Sequence, residues 1–145
     1  MQYRLVEEDQ GRRTFALVMD IGEEVMSTIT AFATEQSLAG SSISGIGGFQ
    51  RAKLGYFAWD QKEFIQNEID EQVELLSFQG TIAEGGDGSP TVHVHVVLGR
   101  SNATTRGGHL VEGIVRPTLE AIVVEMPEHL HRLYDDETGL VLLKP

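Results

Sequence analysis

Residues 91–99 read TVHVHVVLG, and this stretch decides the secondary structure of the middle of the chain. Successive side chains of a β-strand point to opposite faces, so the alternation predicts a strand with one apolar face. The apolar face carries Val92, Val94, Val96 and Leu98 and belongs against a hydrophobic core. The opposite face carries Thr91, His93, His95 and Val97. The two histidines are therefore expected to lie side by side, facing a cleft, an interface or solvent.

Further stretches with strand patterns lie on both sides of this segment. They cover Tyr3 to Val6, Thr14 to Met19, Ser42 to Ile46, Ala52 to Trp59, Phe64 to Asp70, Val73 to Ala83, Gly113 to Met126 and Leu140 to Leu143. The first two indicate an opening hairpin. The strand that contains Pro117 is expected at an edge or with a bulge, because proline cannot donate to a ladder. The glycines of GIGGF (45–49) are interpreted as a tight connection between strands, since the segment lacks the Lys-Ser/Thr pair of a phosphate loop.

One segment has the periodicity of an amphipathic helix. Asp20 followed by Glu23 resembles a capping box, and Gly40 is expected to end a helix that reaches about Leu38. Its apolar stripe consists of Val25, Ile29, Phe32 and Ala33. Many strands at short spacing with a single helix predict an α+β fold, mainly an antiparallel β-sheet with one principal α-helix packed on one face.

The bulk properties restrict the possible classes of protein. At 145 residues the chain is expected to form a single domain, 1–145, and it has no cysteine for disulfides or thiolate ligands. Its 11 basic and 22 acidic residues give a formal net charge of −11, which disfavours direct nucleic-acid binding. No apolar run is long enough to span a membrane, and the charged start is unlike a signal peptide, so a cytoplasmic location is expected.

A third histidine follows the His93–His95 pair after a polar, glycine-ended loop. The segment GRSNATTRGG (99–108) returns the chain at His109, where a neighbouring strand can begin. Three imidazoles with an open fourth position suit Zn²⁺ and, less selectively, other late divalent metals. Taken alone, a same-face histidine pair is more often a polar strand surface than a metal site, so spacing leaves both interpretations open.

Other polar residues were weighed for roles near these histidines. Glu74 and Glu120 lie within apolar strand segments, where one of them could orient a ligand histidine through its free ring nitrogen. The alternative, equally supported by the pattern, is that both lie on solvent-facing strand surfaces. A second pair, His129 and His131, could compete for metal, although its charged surroundings indicate an exposed position.

Three segments together resemble the plants and prokaryotes conserved domain family, the PPC domain. They are GIGGFQRAKLGYF (45–57), VELLSFQGTIAEGGDGSPTVHVHVVLG (73–99) and RGGHLVEGIVRPTLEAIVVE (106–125). The resemblance implies a compact α+β domain that assembles as a homotrimer, a state that could bury the strand around Pro117 and the C-terminal LVLLKP. It also implies a divalent-metal site, most often zinc, formed by His93, His95 and His109.

Relatives of this kind are often named DNA-binding proteins, because plant members carry basic AT-hook motifs before the domain. This chain has no Arg-Gly-Arg core, and the Arg12–Arg13 pair is too short to be an electrostatic footprint. The function expected first is therefore a homotrimeric zinc-binding module. One alternative is a DNA-associated or transcription-linked protein that acts through a partner. The other is a zinc-dependent enzyme of unknown substrate, with Glu74 or Glu120 as base towards a metal-bound water.

Overall fold

The computed structural model describes residues 1–144, so Pro145 of the C-terminal LVLLKP segment lies outside the described residues. This part of the chain contains nine strands and one α-helix. They are, in chain order, β1 (Gln2–Asp9), β2 (Arg12–Met19), α1 (Val25–Glu35), β3 (Gly40–Ala58), β4 (Glu63–Ile69), β5 (Val73–Glu84), β6 (Pro90–Gly99), β7 (Thr105–Glu125), β8 (His131–Asp135) and β9 (Leu140–Lys144). Among the described residues, no helix has the length and apolar character needed to cross a membrane.

All nine strands belong to one sheet. Its path runs β1-β2-β7-β3-β5-β8-β9, while β4 pairs with β3 and β6 pairs with both β5 and β7. Because β3 pairs with β5, β5 with β6, β6 with β7 and β7 again with β3, these four strands close a ring. The fold is α+β and mainly β, as the sequence predicts. The sheet is mixed rather than wholly antiparallel, since β5 and β8 meet in parallel at Glu84 and His131.

The helix covers one face of the sheet through the predicted stripe. Val25, Ile29, Phe32 and Ala33 are all buried, which confirms the predicted face. Phe32 packs edge-on against Phe15 of β2, with ring centroids 5.3 Å apart. The core therefore lies between α1 and the inward residues of the strands, and it includes Val94, Val96 and Leu98 of β6.

The ends of the helix differ from the sequence prediction. Asp20 and Glu23 do bond reciprocally, but they form a turn, and the helix begins at Val25 with Glu24 as its N-cap. The Glu24 carboxylate accepts hydrogen bonds from the amides of Met26 and Ser27. At the other end, the residue that terminates the helix is Ser37, with a left-handed φ of 53°, and not Gly40 as predicted.

That left-handed residue closes the helix with two reversed hydrogen bonds. The amide of Ser37 donates to the carbonyl of Thr34, and the amide of Leu38 donates to that of Ala33. This is the Schellman motif, in which these two bonds satisfy carbonyls of the last helical turn. Its left-handed position is usually glycine, and here it is Ser37. The helix consequently ends at Glu35 and not near Leu38.

The two longest strands also differ from their predicted form. The glycines of 45–49 lie inside β3 rather than in a connection, because they allow its backbone to approach β7 closely. A Cβ on Gly45 would lie 2.6 Å from the carbonyl oxygen of Glu120. Strand β7 begins earlier than predicted, at Thr105. Pro117 lies in a β7 bulge, where the four residue steps from Val115 to Leu119 face two steps of β3, and this agrees with the bulge alternative of the prediction. The sequence pattern missed β8 altogether.

Candidate metal centre

Strand register brings the three predicted histidines together. His93 and His95 share a face of β6, and His95 lies directly opposite His109 on the antiparallel strand β7. The polar loop is shorter than expected, since β7 already begins at Thr105 and carries His109 within the strand. His109 is also opposite Gly55 of β3, so it lies in the middle of three adjacent strands.

Glycines leave the space that this arrangement needs. A Cβ on Gly55 would lie 3.0 Å from the ring of Phe64 and 3.6 Å from the ring of His109. The rings of Phe64 and His109 have centroids 5.4 Å apart, so they contact across the space that Gly55 leaves. Gly108 passes the backbone of β3 just as closely, with a Cβ position 3.0 Å from the carbonyl oxygen of Gly55. Glycine at these positions therefore lets the backbones of β3 and β7 approach closely beside His109.

The spacing of the imidazole nitrogens fits a divalent metal. One ring nitrogen of each histidine lies within 4.8 Å of those of the other two. The Nε2 atoms of His93 and His95 are 3.2 Å apart, and nitrogens at about 2.0 Å from a tetrahedral Zn²⁺ lie about 3.3 Å from each other. Three neutral nitrogen donors without a thiolate or carboxylate suit Zn²⁺ or another late first-row divalent ion.

The surroundings keep the imidazoles of His93 and His109 neutral. Burial, aided by the positive charge of Arg132, lowers the pKa of His93 to about 4. Burial also lowers the pKa of His109, with further contributions from His95 and Arg132. A neutral imidazole has a free lone pair, so both rings are available as ligands at pH 7 without losing a proton first.

A groove of about 600 Å³ opens over the three histidines. One wall is aromatic, with Tyr56 and Phe57 from β3 and Phe64 from β4, and another is formed by Leu140, Val141 and Leu142 of β9. The sequence analysis did not anticipate these walls, because they come from strands distant in the chain.

Arg132 of β8 also lines this groove, and it is a candidate site residue that the sequence pattern did not indicate. Its side chain is only 5% exposed. One terminal nitrogen donates to the Thr81 hydroxyl, and Thr81 lies opposite His93 in the β5–β6 register. Burial lowers the pKa of Arg132. The available sequence signal was a basic residue in the alternating segment HLHRLYD, which was interpreted as an exposed stretch.

The two candidate carboxylates lie elsewhere. Glu74 and Glu120 are both exposed and line a separate depression with Ile46 and Leu76. Within residues 1–144, neither forms a hydrogen bond or ion pair with a histidine, so the structure gives no contact through which they could orient a ligand. Their positions agree with the solvent-facing alternative.

The second histidine pair is also separate from the cluster. His131 Nδ1 is 3.5 Å from one oxygen of Glu84, and His129 Nδ1 is 3.8 Å from the other. Both rings are exposed, as the sequence predicts. Among the described residues, the three-ligand cluster consists of His93, His95 and His109 alone.

The fold and the site define a small β-rich domain with a candidate three-histidine metal centre. The chain belongs to the Plants and Prokaryotes Conserved (PCC) domain family, whose model matches residues 6–127. This confirms the family resemblance read from the sequence.

Solved structures share the fold over nearly the whole chain. A metal-containing protein of Archaeoglobus fulgidus is 30% identical, with a TM-score of 0.84 and coverage of 99% of this chain and 97% of that one. A plant- and prokaryote-conserved (PPC) protein of Pyrococcus horikoshii is 31% identical, with a TM-score of 0.85 and coverage of 99% and 95%. A protein of Bacteroides thetaiotaomicron, named as a candidate DNA-binding protein, is 24% identical with a TM-score of 0.86 over 98% and 96% and shows the fold alone.

The chain also resembles part of a larger curated protein. It is 27% identical over 134 residues to the bifunctional protein GlmU of Synechococcus sp. strain JA-3-3Ab, a match that covers 90% of this chain. The chain spans about a fifth of the length of that relative, since the match covers 20% of it.

Proposed function

We propose that this chain is a divalent-metal-binding module, that its metal is Zn²⁺, and that it works as a homotrimer. The observation that carries the metal assignment is the convergence of three imidazole nitrogens within 4.8 Å of one another. The description of the Archaeoglobus fulgidus protein as metal-containing supports it. His93, His95 and His109 would hold the ion and leave its outward side open to the groove.

The choice of Zn²⁺ rests on the donor set. All three donors are imidazole nitrogens, which Zn²⁺ accepts at tetrahedral geometry, whereas Mg²⁺ and Ca²⁺ require oxygen ligands. A bound Zn²⁺ would supply Lewis acidity to any oxygen that reaches it from the groove. The residues of this chain would position the ion, and its open side would accept a ligand atom.

Metal content of the purified protein tests the proposal. Elemental analysis of the wild type is expected to give about one Zn²⁺ per chain, and His93→Ala and His109→Ala are expected to lose it because each removes one of three ligands. His129→Ala is the matched control, since His129 is an exposed histidine outside the cluster. Absence of metal from the wild type after growth with zinc, or equal loss in the His129→Ala control, would contradict the assignment.

The homotrimer rests on the family resemblance and on exposed apolar side chains. We use the name outer patch for Val18, Ile46, Leu76 and Ile122, which project from β2, β3, β5 and β7. Each is at least 40% exposed, and contiguous apolar surface of this kind marks contact with another protein. Sedimentation equilibrium is expected to give three times the chain mass, and Ile46→Glu is expected to shift it towards monomer. A wild-type monomer at about 50 μM, which is well above a Kd of about 1 μM for a moderately stable assembly, would refute it.

A zinc-dependent enzyme is the second candidate, and the open groove beside the histidines favours it. Its expected general base is missing, because Glu74 and Glu120 line a different depression. No carboxylate lines the groove among the described residues. A reaction that needs such a base would have to draw it from a bound ligand. We therefore rank binding above catalysis.

A DNA-associated role through a partner protein is the third candidate. A solved structure from Ralstonia eutropha that is 26% identical, with a TM-score of 0.82 over 90% of both chains, is named as a candidate DNA-binding protein and favours this role. The net charge of −11 opposes direct contact with a phosphate backbone. A gel-shift titration at about 150 mM salt, where non-specific DNA binding has a Kd of roughly 1–100 μM, is expected to show no retardation at micromolar protein. Retardation of duplex DNA by the pure protein would contradict the indirect version.

A further inference from the structure

Arg132 is a buried cation without an ionic partner. It is 5% exposed, and its Nε has no hydrogen-bond partner. The Thr81 hydroxyl, which is neutral, accepts from one terminal nitrogen. Among the described residues, no carboxylate forms an ion pair with it, although six other cationic groups, including Arg13 and Arg100, form such pairs. Buried charges are ordinarily paired, because an isolated one costs several kcal/mol.

The groove beside Arg132 is also lined without any negatively charged side chain among the described residues. Its polar side chains are three imidazoles, the Thr91 and Tyr56 hydroxyls and the guanidinium, and no aspartate or glutamate lines it among residues 1–144. This is unusual for a chain with 22 acidic residues and a net charge of −11. A local positive charge that the protein itself leaves uncompensated favours an anionic ligand.

The rest of the lining restricts the kind of anion. Phe57 and Phe64 lie with ring centroids 5.3 Å apart and form one apolar wall, and Val92, Val141 and Leu142 form others. Such walls bury an apolar body, which inorganic phosphate and acetate lack. The planar guanidinium matches a planar carboxylate in shape, and the groove volume of about 600 Å³ suits a small organic molecule.

We propose that this groove binds a small organic carboxylate, with the carboxylate against the Arg132 guanidinium and an apolar body against the Phe57–Phe64 wall. Thr81 positions Arg132 for this contact by holding one terminal nitrogen from the strand next to His93. The inference deepens the proposed function, since the same groove carries the three histidines. It rests on Arg132, however, and can be tested with the metal present or removed.

The test is isothermal titration calorimetry of the full chain with benzoate, in zinc-loaded protein and in protein treated with EDTA. Benzamide is the matched neutral probe, and acetate and inorganic phosphate are probes without an apolar body. Benzoate is expected to bind at least about tenfold more tightly than each of the other three probes. Benzamide cannot form the charge-assisted hydrogen bond to the guanidinium, and acetate and phosphate lack the ring that contacts the apolar wall. Benzamide or phosphate binding as tightly as benzoate would overturn the proposal.

Two pairs of variants locate the binding. Arg132→Gln is expected to weaken benzoate binding about tenfold or more, while Arg116→Gln, at an exposed arginine outside the groove, leaves it unchanged. If Arg132→Gln does not fold, Val141→Asp places a carboxylate at the half-exposed β9 wall and is expected to weaken benzoate binding relative to the neutral Val141→Asn. Unchanged affinity in Arg132→Gln, or in Val141→Asp relative to Val141→Asn, would overturn the proposal.

The metal measurement separates this proposal from the function on which it builds. Zinc in the wild type with no preference for benzoate over benzamide would leave the metal centre standing and refute the carboxylate site. If the wild type purified after growth with zinc contains no metal and still binds benzoate through Arg132, the carboxylate site is supported and the metal centre is refuted.

Discussion

Replacing Arg132 with methionine is expected to stabilise the fold, in contrast to most substitutions of buried residues. The methionine side chain retains most of the volume of the arginine stem, so the packing around β8 is largely kept. The change removes a guanidinium that is 5% exposed and whose Nε lacks a hydrogen-bond partner. It also removes the hydrogen bond to Thr81.

The magnitude follows from the balance of these two effects. Loss of the Thr81 hydrogen bond costs about 1 kcal/mol, while relief of an unpaired buried charge contributes about 3 kcal/mol, since the effective penalty for a buried ion is several kcal/mol. The free energy of unfolding of Arg132→Met is therefore expected to rise by about 2 kcal/mol. For a chain of this length the Tm should rise by roughly 6 °C, at about 3 °C per kcal/mol.

Urea denaturation in EDTA, followed by circular dichroism, measures the change without a contribution from bound metal. Arg116→Met is the control, because Arg116 is exposed and outside the groove, and it should change stability by less than about 0.5 kcal/mol. The same Arg132→Met protein should have lost its preference for benzoate over benzamide. A fall of about 2 kcal/mol in stability would refute the reasoning, because it would mean that Arg132 is a structural anchor whose charge is compensated in the folded state.

Three further outcomes are expected. Removal of zinc by EDTA should lower the free energy of unfolding of the wild type by about 2.7 kcal/mol relative to protein with free Zn²⁺ at about 100 times its Kd. In His109→Ala, EDTA should have no such effect. An equal effect of EDTA on the stability of both proteins would contradict the histidine site. Gly45→Ala should destabilise the fold by about 1–3 kcal/mol, because the new Cβ would lie 2.6 Å from the Glu120 carbonyl oxygen. Unchanged stability in urea denaturation would contradict this prediction and show that β7 can move away from β3. Glu24→Ala should cost about 1 kcal/mol at pH 7. Burial raises the pKa of Glu24, but hydrogen bonds from Ser27, Met26 and Gly113 outweigh it and leave this pKa below its ordinary value. The contribution of Glu24 is therefore present above the pKa of the unfolded chain and lost as the pH falls through the folded value, and a difference between the two proteins that persisted in acid would contradict it.

The elements of the fold that depend on local pattern could be predicted from the sequence. The α1 stripe and the two faces of β6 follow from periods of 3.6 and 2, which need no knowledge of distant residues. The histidine site adds one non-local step, the register that places His109 opposite His95. That step was accessible because the connection between β6 and β7 is short, so an antiparallel return was the simplest path.

Features that depend on close approach between distant strands could not be predicted in this way. The glycines at 45–48 have the composition of a turn, yet they serve the contact between β3 and β7. Arg132 lies in a five-residue strand that pairs with β5 at only one described position. Its burial depends on contacts with distant residues, namely the hydrogen bond to Thr81 and the other side chains that line the groove, rather than on its neighbours in sequence.

The positions of Glu74 and Glu120 agree with the solvent-facing alternative of the sequence interpretation, and they also bear on assembly. Leu75 is 2% exposed and faces the core, but the adjacent Leu76 is 53% exposed and belongs to the outer patch. The apolar run around Glu74 therefore reflects two apolar faces of one strand, and not a strand buried on both sides by this chain. A domain that covered only its own core would be expected to have a polar outer face on an antiparallel sheet. The outer patch thus has the composition of a surface that a second copy covers, and in such an interface Glu74 and Glu120 would need cationic partners from that copy. Their exposure within apolar surroundings is consequently an argument for the proposed oligomer, although it is none for a role at the histidines.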